Sequence, residues 1–255
     1  MGIAIETRGL TRHFEGRVAV DGIDLRVEAG TFYGFLGPNG AGKSTTIKML
    51  TGLLAPTSGT IRLLGEDVAD AERGREVKRR IGVVPENLAL FDNLTARESL
   101  TFVGRMYGVP RDILQARCHE LLSMMDLAGE EKKLTLEFSH GMKKKLALAA
   151  ALLPNPDLLF LDEPFEGVDA VSSRMLRDTL KRFVKGGATV FLTSHILEIV
   201  EKLCTQVGIL AKGRLVYGAS LAEIQREGSL EDRFLAAVGG DHTESRQLSW
   251  LEEGS

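Results

Sequence analysis

The stretch GPNGAGKST, residues 37–45, constrains the fold more than any other part of the chain. It fits the pattern GxxxxGK(S/T) and lies between a strand-like run, FYGFL, and a helical pattern, TTIKML. In that setting glycines let backbone N–H groups point at phosphates, Lys43 brings a cation near the β- and γ-phosphates, and the Ser44 hydroxyl can bind Mg²⁺. The sequence therefore predicts a phosphate-binding loop. Its nine residues are expected to contact the ligand: Gly37, Pro38, Asn39, Gly40, Ala41, Gly42, Lys43, Ser44 and Thr45.

Two other strand-like runs end in polar side chains. The apolar run LLFL leads into Asp162 and Glu163, and the run VFL leads through a threonine and a serine to His195. The carboxyl ends of strands in an open α/β sheet face the ligand crevice. We therefore expect Asp162 to hold the hydration shell of Mg²⁺ and Glu163 to accept a proton from an attacking water. His195 is expected to contact the γ-phosphate and to orient that water.

The alternation of strand-like and helix-like segments predicts an α/β fold with a mixed sheet. The first strands are joined by short turns and should pair antiparallel, whereas helices separate the later ones. The predicted strands are residues 3–10, 23–27, 32–36, 60–64, 81–84, 158–161, 189–193, 207–210 and 215–217. Two short helices are predicted after the last strand, at 221–227 and 230–238.

A region without strand patterns follows Glu86. Its three helical patterns begin at a capping box of Thr95 with Glu98, at Pro110 and at Ser139. They predict a helical subdomain at about 87–154, inserted into the α/β core. Three methionines of this region are predicted to fill its core: Met106, Met124 and Met125.

The third of these helices begins with an unusual sequence, FSHGMKKK, at residues 138–145. Ser139 is a good N-cap, but a capping box would place Glu or Gln where Met142 stands, and three lysines follow. Cations in a first turn oppose the helix dipole, which favours an anion there. The sequence thus leaves this helix start without its anion. The lysines themselves are predicted to form a solvated face.

Composition narrows the class of protein. The formal charge is −3 and the pI about 6.0, so no general electrostatic case exists for a nucleic-acid partner. Cys118 and Cys204 lack metal-ligand spacing and are predicted to stay reduced. The N-terminal residues do not resemble a secretory signal, and no apolar run reaches 18 residues. The sequence therefore predicts a soluble, cytoplasmic protein, for which work at a membrane would need another chain.

Six motifs, read in order, resemble those of ABC-type ATPase subunits. GPNGAGKST, VVPEN, FSHGM, LLFLDEP, EGVD and TSH are similar to the phosphate loop, Q-loop, signature, Walker B motif, D-loop and switch histidine of that family. The resemblance covers roughly residues 3–225. It implies a P-loop NTPase fold of ABC type: a mixed-sheet core, an N-terminal antiparallel β subdomain and the inserted helical subdomain. It also implies Mg²⁺ and ATP as ligands, with each ATP held between two subunits arranged head to tail.

The resemblance carries over further site residues. Phe14 stands where the family stacks an aromatic ring on adenine, although by itself it would also suit a core position. Ser139 and Gly141 are implied to contact the γ-phosphate bound to the opposite subunit. Glu86 stands at the Q-loop position as a Mg²⁺ ligand, and Asp169 at the D-loop position.

Three departures from the commonest family motifs narrow the resemblance. Glu86 replaces glutamine, His140 replaces the first signature glycine, and EGVD replaces SGLD. The PE form of the Q-loop resembles exporter subunits of the ABC-2 kind.

The implied partners are a separate membrane-spanning permease, on the inner face of the cell membrane, and a second ATPase subunit that is either identical or a paralogue. The domain is predicted to span residues 1–240, followed by a loose tail at 241–255. Two other readings stay open: a nucleotide-binding regulatory protein with little turnover, and a soluble ABC ATPase acting on nucleic acid or ribosomes. Relatives of the last kind usually carry a second ATPase domain or a long coiled coil.

Overall fold

The computed structural model describes residues 2–239, so the predicted tail lies outside the described residues. Within them the chain forms ten strands: β1 (Ile3–Phe14), β2 (Arg17–Glu28), β3 (Phe32–Leu36), β4 (Ser58–Leu63), β5 (Glu66–Asp67), β6 (Ile81–Val84), β7 (Leu158–Asp162), β8 (Thr189–Ser194), β9 (Gln206–Ala211) and β10 (Arg214–Ser220). All nine predicted strands are present. The tenth, β5, has two residues and no apolar pattern by which it could be recognised.

The same part of the chain forms nine α-helices: α1 (Lys43–Leu50), α2 (Arg73–Arg79), α3 (Ala96–Met106), α4 (Arg111–Met124), α5 (His140–Leu152), α6 (Ala170–Lys185), α7 (Leu197–Leu203), α8 (Leu221–Glu227) and α9 (Leu230–Val238). The two helices predicted after β10 are confirmed. None of the helices in residues 2–239 combines the length and the apolar character needed to cross a lipid bilayer.

A six-stranded sheet forms the centre of the fold, in the order β10-β9-β3-β8-β7-β6. Five of its strands are parallel and β10 is antiparallel. Strands β3, β7 and β8 are buried along their whole length, which explains why they read as continuous apolar runs. Because Leu36 pairs with Ser194 and Asp162 with Thr193, the ends of these strands meet at one edge.

An antiparallel sheet, β2-β1-β4-β5, lies against the central one. Side chains from both sheets share one buried cluster, in which Ile5 and Ile61 of the smaller sheet join Phe35, Phe160 and Phe191 of the larger. Helix α1 contributes to the same cluster and is thereby held against the strand that precedes it. The mixed-sheet core and antiparallel N-terminal sheet confirm the predicted fold class.

Helices α3, α4 and α5 lie between β6 and β7 in the sequence and pack on one another. The Thr95/Glu98 capping box is present at the start of α3. The prediction for the methionines was wrong for two of them, since Met106 is 71% and Met124 36% exposed, whereas Met125 is buried. Each exposed methionine stands two positions after a packed residue, Gly104 or Leu122, which is about 200° around a helix and therefore on its far side.

Candidate functional site

The phosphate loop joins β3 to α1 in a tight turn against neighbouring strands. A Cβ on Gly37 would lie 2.5 Å from the carbonyl oxygen of Leu210. Gly42 has φ +109°, and a Cβ there would lie 2.5 Å from the carbonyl oxygen of Ala19. Glycine is therefore required at both places, because any side chain would push the loop off the sheet. Lys43 lies across this loop, with its Nζ donating to the Gly37 carbonyl at 2.7 Å.

Asp162 ends β7 and is bonded to residues of two other elements. Its Oδ1 accepts a 2.6 Å bond from Thr193 Oγ1 and lies 3.2 Å from Ser44 Oγ. Burial raises the pKa of this carboxyl group, and the bonds from Thr193 and Ser44 oppose that rise. Ser44 Oγ is also 3.2 Å from Glu86 Oε2. One hydroxyl and two carboxylates thus converge on one point, and oxygen ligands of this kind suit Mg²⁺.

Glu163 follows directly and has a backbone φ of +47°, which is unusual for a residue with a side chain. Its N–H donates to Thr193 Oγ1 at 3.1 Å. Its carboxylate is 7% exposed, with Oε1 3.3 Å from Lys43 Nζ and Oε2 3.1 Å from His195 Nδ1. Oε1 accepts no hydrogen bond in the structure. The arrangement leaves a buried carboxylate oxygen beside a cation and an imidazole, as a base for a water molecule would require.

These groups face a cavity of about 360 Å³. Twelve of the residues predicted to form the site line it: Phe14, Pro38, Asn39, Gly40, Ala41, Gly42, Lys43, Ser44, Thr45, Glu86, Glu163 and His195. Phe14 is 45% exposed at the cavity and not in the core, and the Arg12 guanidinium lies 4.7 Å from its ring centre. The Arg12 guanidinium therefore covers one face of the Phe14 ring and holds the ring in place at the cavity.

Five further residues at the site were missed by sequence reasoning. Arg17, Ala19 and Glu166 line the cavity, Thr193 bonds the Asp162 carboxylate and the N–H of Glu163, and Lys144 reaches the carbonyl of Glu163. Thr193 belongs to the polar end of β8 that the sequence had singled out, so its position was a usable signal. The others depend on contacts between distant segments, which no local pattern reveals.

The predicted signature and D-loop residues, Ser139, Gly141 and Asp169, do not line this cavity. Ser139 caps α5, its Oγ accepting from the N–H of Met142 at 3.3 Å. A Cβ on Gly141 would lie 3.8 Å from Asp169 Oδ2. Asp169 caps α6 and accepts from the N–H groups of Ser172 and Val171, and these bonds lower its pKa. The structure thus separates the signature and D-loop residues from the phosphate loop of the same chain.

The lysines at the start of α5 do not form the solvated face that the sequence predicted. Lys144 is 3% and Lys145 8% exposed, and Lys144 Nζ donates to the carbonyl of Glu163 at 2.6 Å. Lys143 alone of the three is partly exposed, 3.5 Å from Asp92. Three consecutive helical residues span about 200°, so a helix packed on the core must turn at least one of them inward.

The sequence and structure match known proteins over most of the chain. A family model described as "ABC transporter" matches residues 20–166. The daunorubicin/doxorubicin resistance ATP-binding protein DrrA of Streptomyces peucetius is 40% identical, over 87% of this chain and 67% of that protein. The bacitracin transport ATP-binding protein BcrA of Bacillus licheniformis is 41% identical, over 85% and 69%. The Nod factor export ATP-binding protein I of Burkholderia lata is 40% identical, over 88% and 73%.

Solved structures agree with these relatives. An ATP-binding subunit of an ABC transporter superposes with a TM-score of 0.85 at 30% identity, covering 92% of this chain and 99% of that one. A dimeric ATP-binding cassette bound to ADP and Pi has the same fold, with a TM-score of 0.77 at 23% identity over 85% of this chain and 98% of the other. The chain therefore belongs to the ABC transporter family and is an ATPase subunit of the ABC type.

Proposed function

We propose that this chain hydrolyses ATP to drive a separate membrane-spanning permease, and that the transport is export. The observation that carries the proposal is the Glu163 carboxylate, held between Lys43 and His195 beside the oxygens of Ser44, Glu86 and Asp162. Export is supported by the names of the relatives, which refer to drug resistance, bacitracin transport and Nod factor export.

The residues at the cavity divide the chemistry among them. Lys43 and the N–H groups at the start of α1 bind the phosphates, and Phe14 stacks on the base. Ser44, Glu86 and Asp162 would hold Mg²⁺, which would neutralise phosphate charge. Glu163 takes a proton from the attacking water, and His195, in contact with Glu163 Oε2, orients that water near the γ-phosphate.

The second half of each site is proposed to come from another ATPase subunit, identical or paralogous. Ser139 and Gly141 lie outside the cavity of their own chain, at a helix start whose first turn contains no acidic side chain. A γ-phosphate held by the facing subunit would supply the missing negative charge. Asp169, beside Gly141, would then lie between the two nucleotides.

The permease is proposed to contact the helical region between β6 and β7, at the inner face of the cell membrane. Large apolar side chains are exposed there, including Phe91 and Phe102, whose rings meet edge to face with centres 5.1 Å apart. Met106 and Leu136 are exposed as well. Apolar patches of this kind mark surfaces that bind other proteins.

Glu163→Gln tests the assigned reaction. The variant should bind ATP, accumulate as a dimer in size-exclusion chromatography and hydrolyse ATP about 10²–10⁴-fold more slowly, because the amide cannot accept the proton. Glu198→Gln, which alters an exposed carboxylate on α7, serves as the control and should keep wild-type turnover. Wild-type turnover in Glu163→Gln would remove Glu163 from the mechanism.

A further inference from the structure

Lys144 connects α5 to the backbone of Glu163 in the same chain. Its Nζ donates to the Glu163 carbonyl oxygen at 2.6 Å, and the side chain is almost fully buried. We propose that Lys144 is a positioning residue, which fixes the peptide group after Glu163 and so directs the Glu163 carboxylate, and which links that carboxylate to the start of α5. The inference rests on the proposed role of Glu163 as the base.

The backbone of Glu163 needs such a restraint. With φ at +47° its Cβ approaches the following carbonyl, an arrangement that is disfavoured for any residue but glycine and persists only where the surroundings enforce it. The N–H of Glu163 is held by Thr193 Oγ1 at 3.1 Å. On the carbonyl side, Lys144 supplies the short bond, and the N–H of Glu166 a longer one at 3.3 Å. The bond from Lys144 is thus the stronger of the two that fix the Glu163 carbonyl.

The charge of Lys144 suits this place. Burial lowers its pKa, while the carboxylates of Glu166, Glu163, Glu86 and Asp162 oppose that change. The Lys144 ammonium group is therefore a second buried cation near these acids, besides Lys43. A cation so placed compensates their mutual repulsion and still gives its shortest bond to a neutral carbonyl. Simple packing would not require this, since methionine has nearly the same length and carries no desolvation cost.

The bond from Lys144 also connects Glu163 to the start of α5. Ser139 caps the helix and Lys144 stands five residues further on, about 7.5 Å along a rigid axis. A shift of the helix start, such as a γ-phosphate of the facing subunit would cause, therefore moves the Lys144 side chain. Because Lys144 is bonded to the Glu163 carbonyl, this movement is passed to the Glu163 carboxylate, which acts on the chain's own ATP. Lys144 would thus let one nucleotide influence hydrolysis of the other.

The test compares variants of the full chain. Lys144→Met should lower kcat at least about tenfold and leave the Kd for ATP within about twofold, because small displacements of a base cost rate and not binding. Lys144→Arg, whose guanidinium can donate to the same carbonyl, should recover most of the loss. Lys143→Met alters the partly exposed neighbour and should match wild type. If the methionine variant does not fold, Lys144→Gln replaces it, because its polar but uncharged side chain is too short to reach the Glu163 carbonyl and should give the same loss.

A double-mutant cycle separates positioning from a general structural effect. If Lys144 acts through Glu163, Lys144→Met should change the single-turnover rate little in a Glu163→Gln background. Equal losses in both backgrounds, or a Lys144→Met kcat within twofold of wild type, would overturn the inference. Wild-type turnover in Glu163→Gln alone, or no ATP turnover in the wild type, would instead refute the proposed function on which it rests.

Discussion

Thr193→Val is expected to destabilise the protein more than any other removal of a single hydroxyl group on β8. Thr193 is fully buried, and its Oγ1 both donates to Asp162 at 2.6 Å and accepts from the N–H of Glu163 at 3.1 Å. Valine keeps the shape and removes both bonds. Loss of a bond to a charged group costs about 1.5–3 kcal/mol, and a buried N–H left without a partner about 1–3 kcal/mol. The added methyl group offsets about 0.8 kcal/mol, so the net cost is about 2–5 kcal/mol.

Thr189→Val on the same strand is the matched control. Thr189 is also buried, but its Oγ1 accepts one bond from a backbone N–H, that of Gly30 at 3.0 Å. It should cost about 1 kcal/mol. Urea unfolding gives both free energies, and an ATPase assay should show turnover lost in Thr193→Val and kept in Thr189→Val. The reasoning is refuted if the two variants are equally stable or equally active.

Two further predictions concern the cavity. Phe14→Ala should raise the Kd for ATP about 5- to 150-fold, because stacking on a base contributes about 1–3 kcal/mol. A fluorescent-nucleotide titration measures this, with Phe91→Ala as the control, and an unchanged Kd would contradict the stacking role. Asp162→Asn should abolish Mg²⁺-dependent turnover yet stabilise the protein without nucleotide, because burial raises the pKa of Asp162 in the folded state. The gain in the free energy of unfolding should be absent below about pH 3.9, the pKa of Asp in the unfolded chain, and should grow as pH rises through the pKa of Asp162 in the folded state. Denaturation curves that show an equal gain at every pH would disprove the prediction.

Much of this site could be predicted because its residues stand in local patterns tied to strand ends. Glycine spacing located the phosphate loop, and the acids and the histidine follow buried strands that meet at one edge. Lys144 could not be found in this way. In the sequence it is the middle of three lysines, and only the packing of α5 decides which of them turns inward.

The secondary structure, like the site, could be predicted where a local sequence pattern exists and not where an element depends on contacts between distant segments. Long apolar strands such as β3 and β8 were recognised, whereas β5 contains only Glu66 and Asp67 and exists because β4 pairs with it. The exposed Met106 and Met124 show that apolar composition does not by itself indicate a core position. The roles of Ser139, Gly141 and Asp169 in a site shared by two subunits, and the limits of the domain, stay predictions.

The position of β3 in the central sheet has a consequence for folding during synthesis. This strand, which leads into the phosphate loop, pairs only with β8 and β9 among the described strands of its sheet. At about 5–20 residues per second, the ribosome needs roughly 10–30 s to add the residues between β3 and β9. A nascent chain that ends before β8 therefore leaves both edges of β3 without their partners, and one that ends before β9 still leaves one edge unpaired. During that interval the phosphate loop also lacks β9, whose Leu210 carbonyl lies against Gly37, and chaperones that bind exposed strand edges can act.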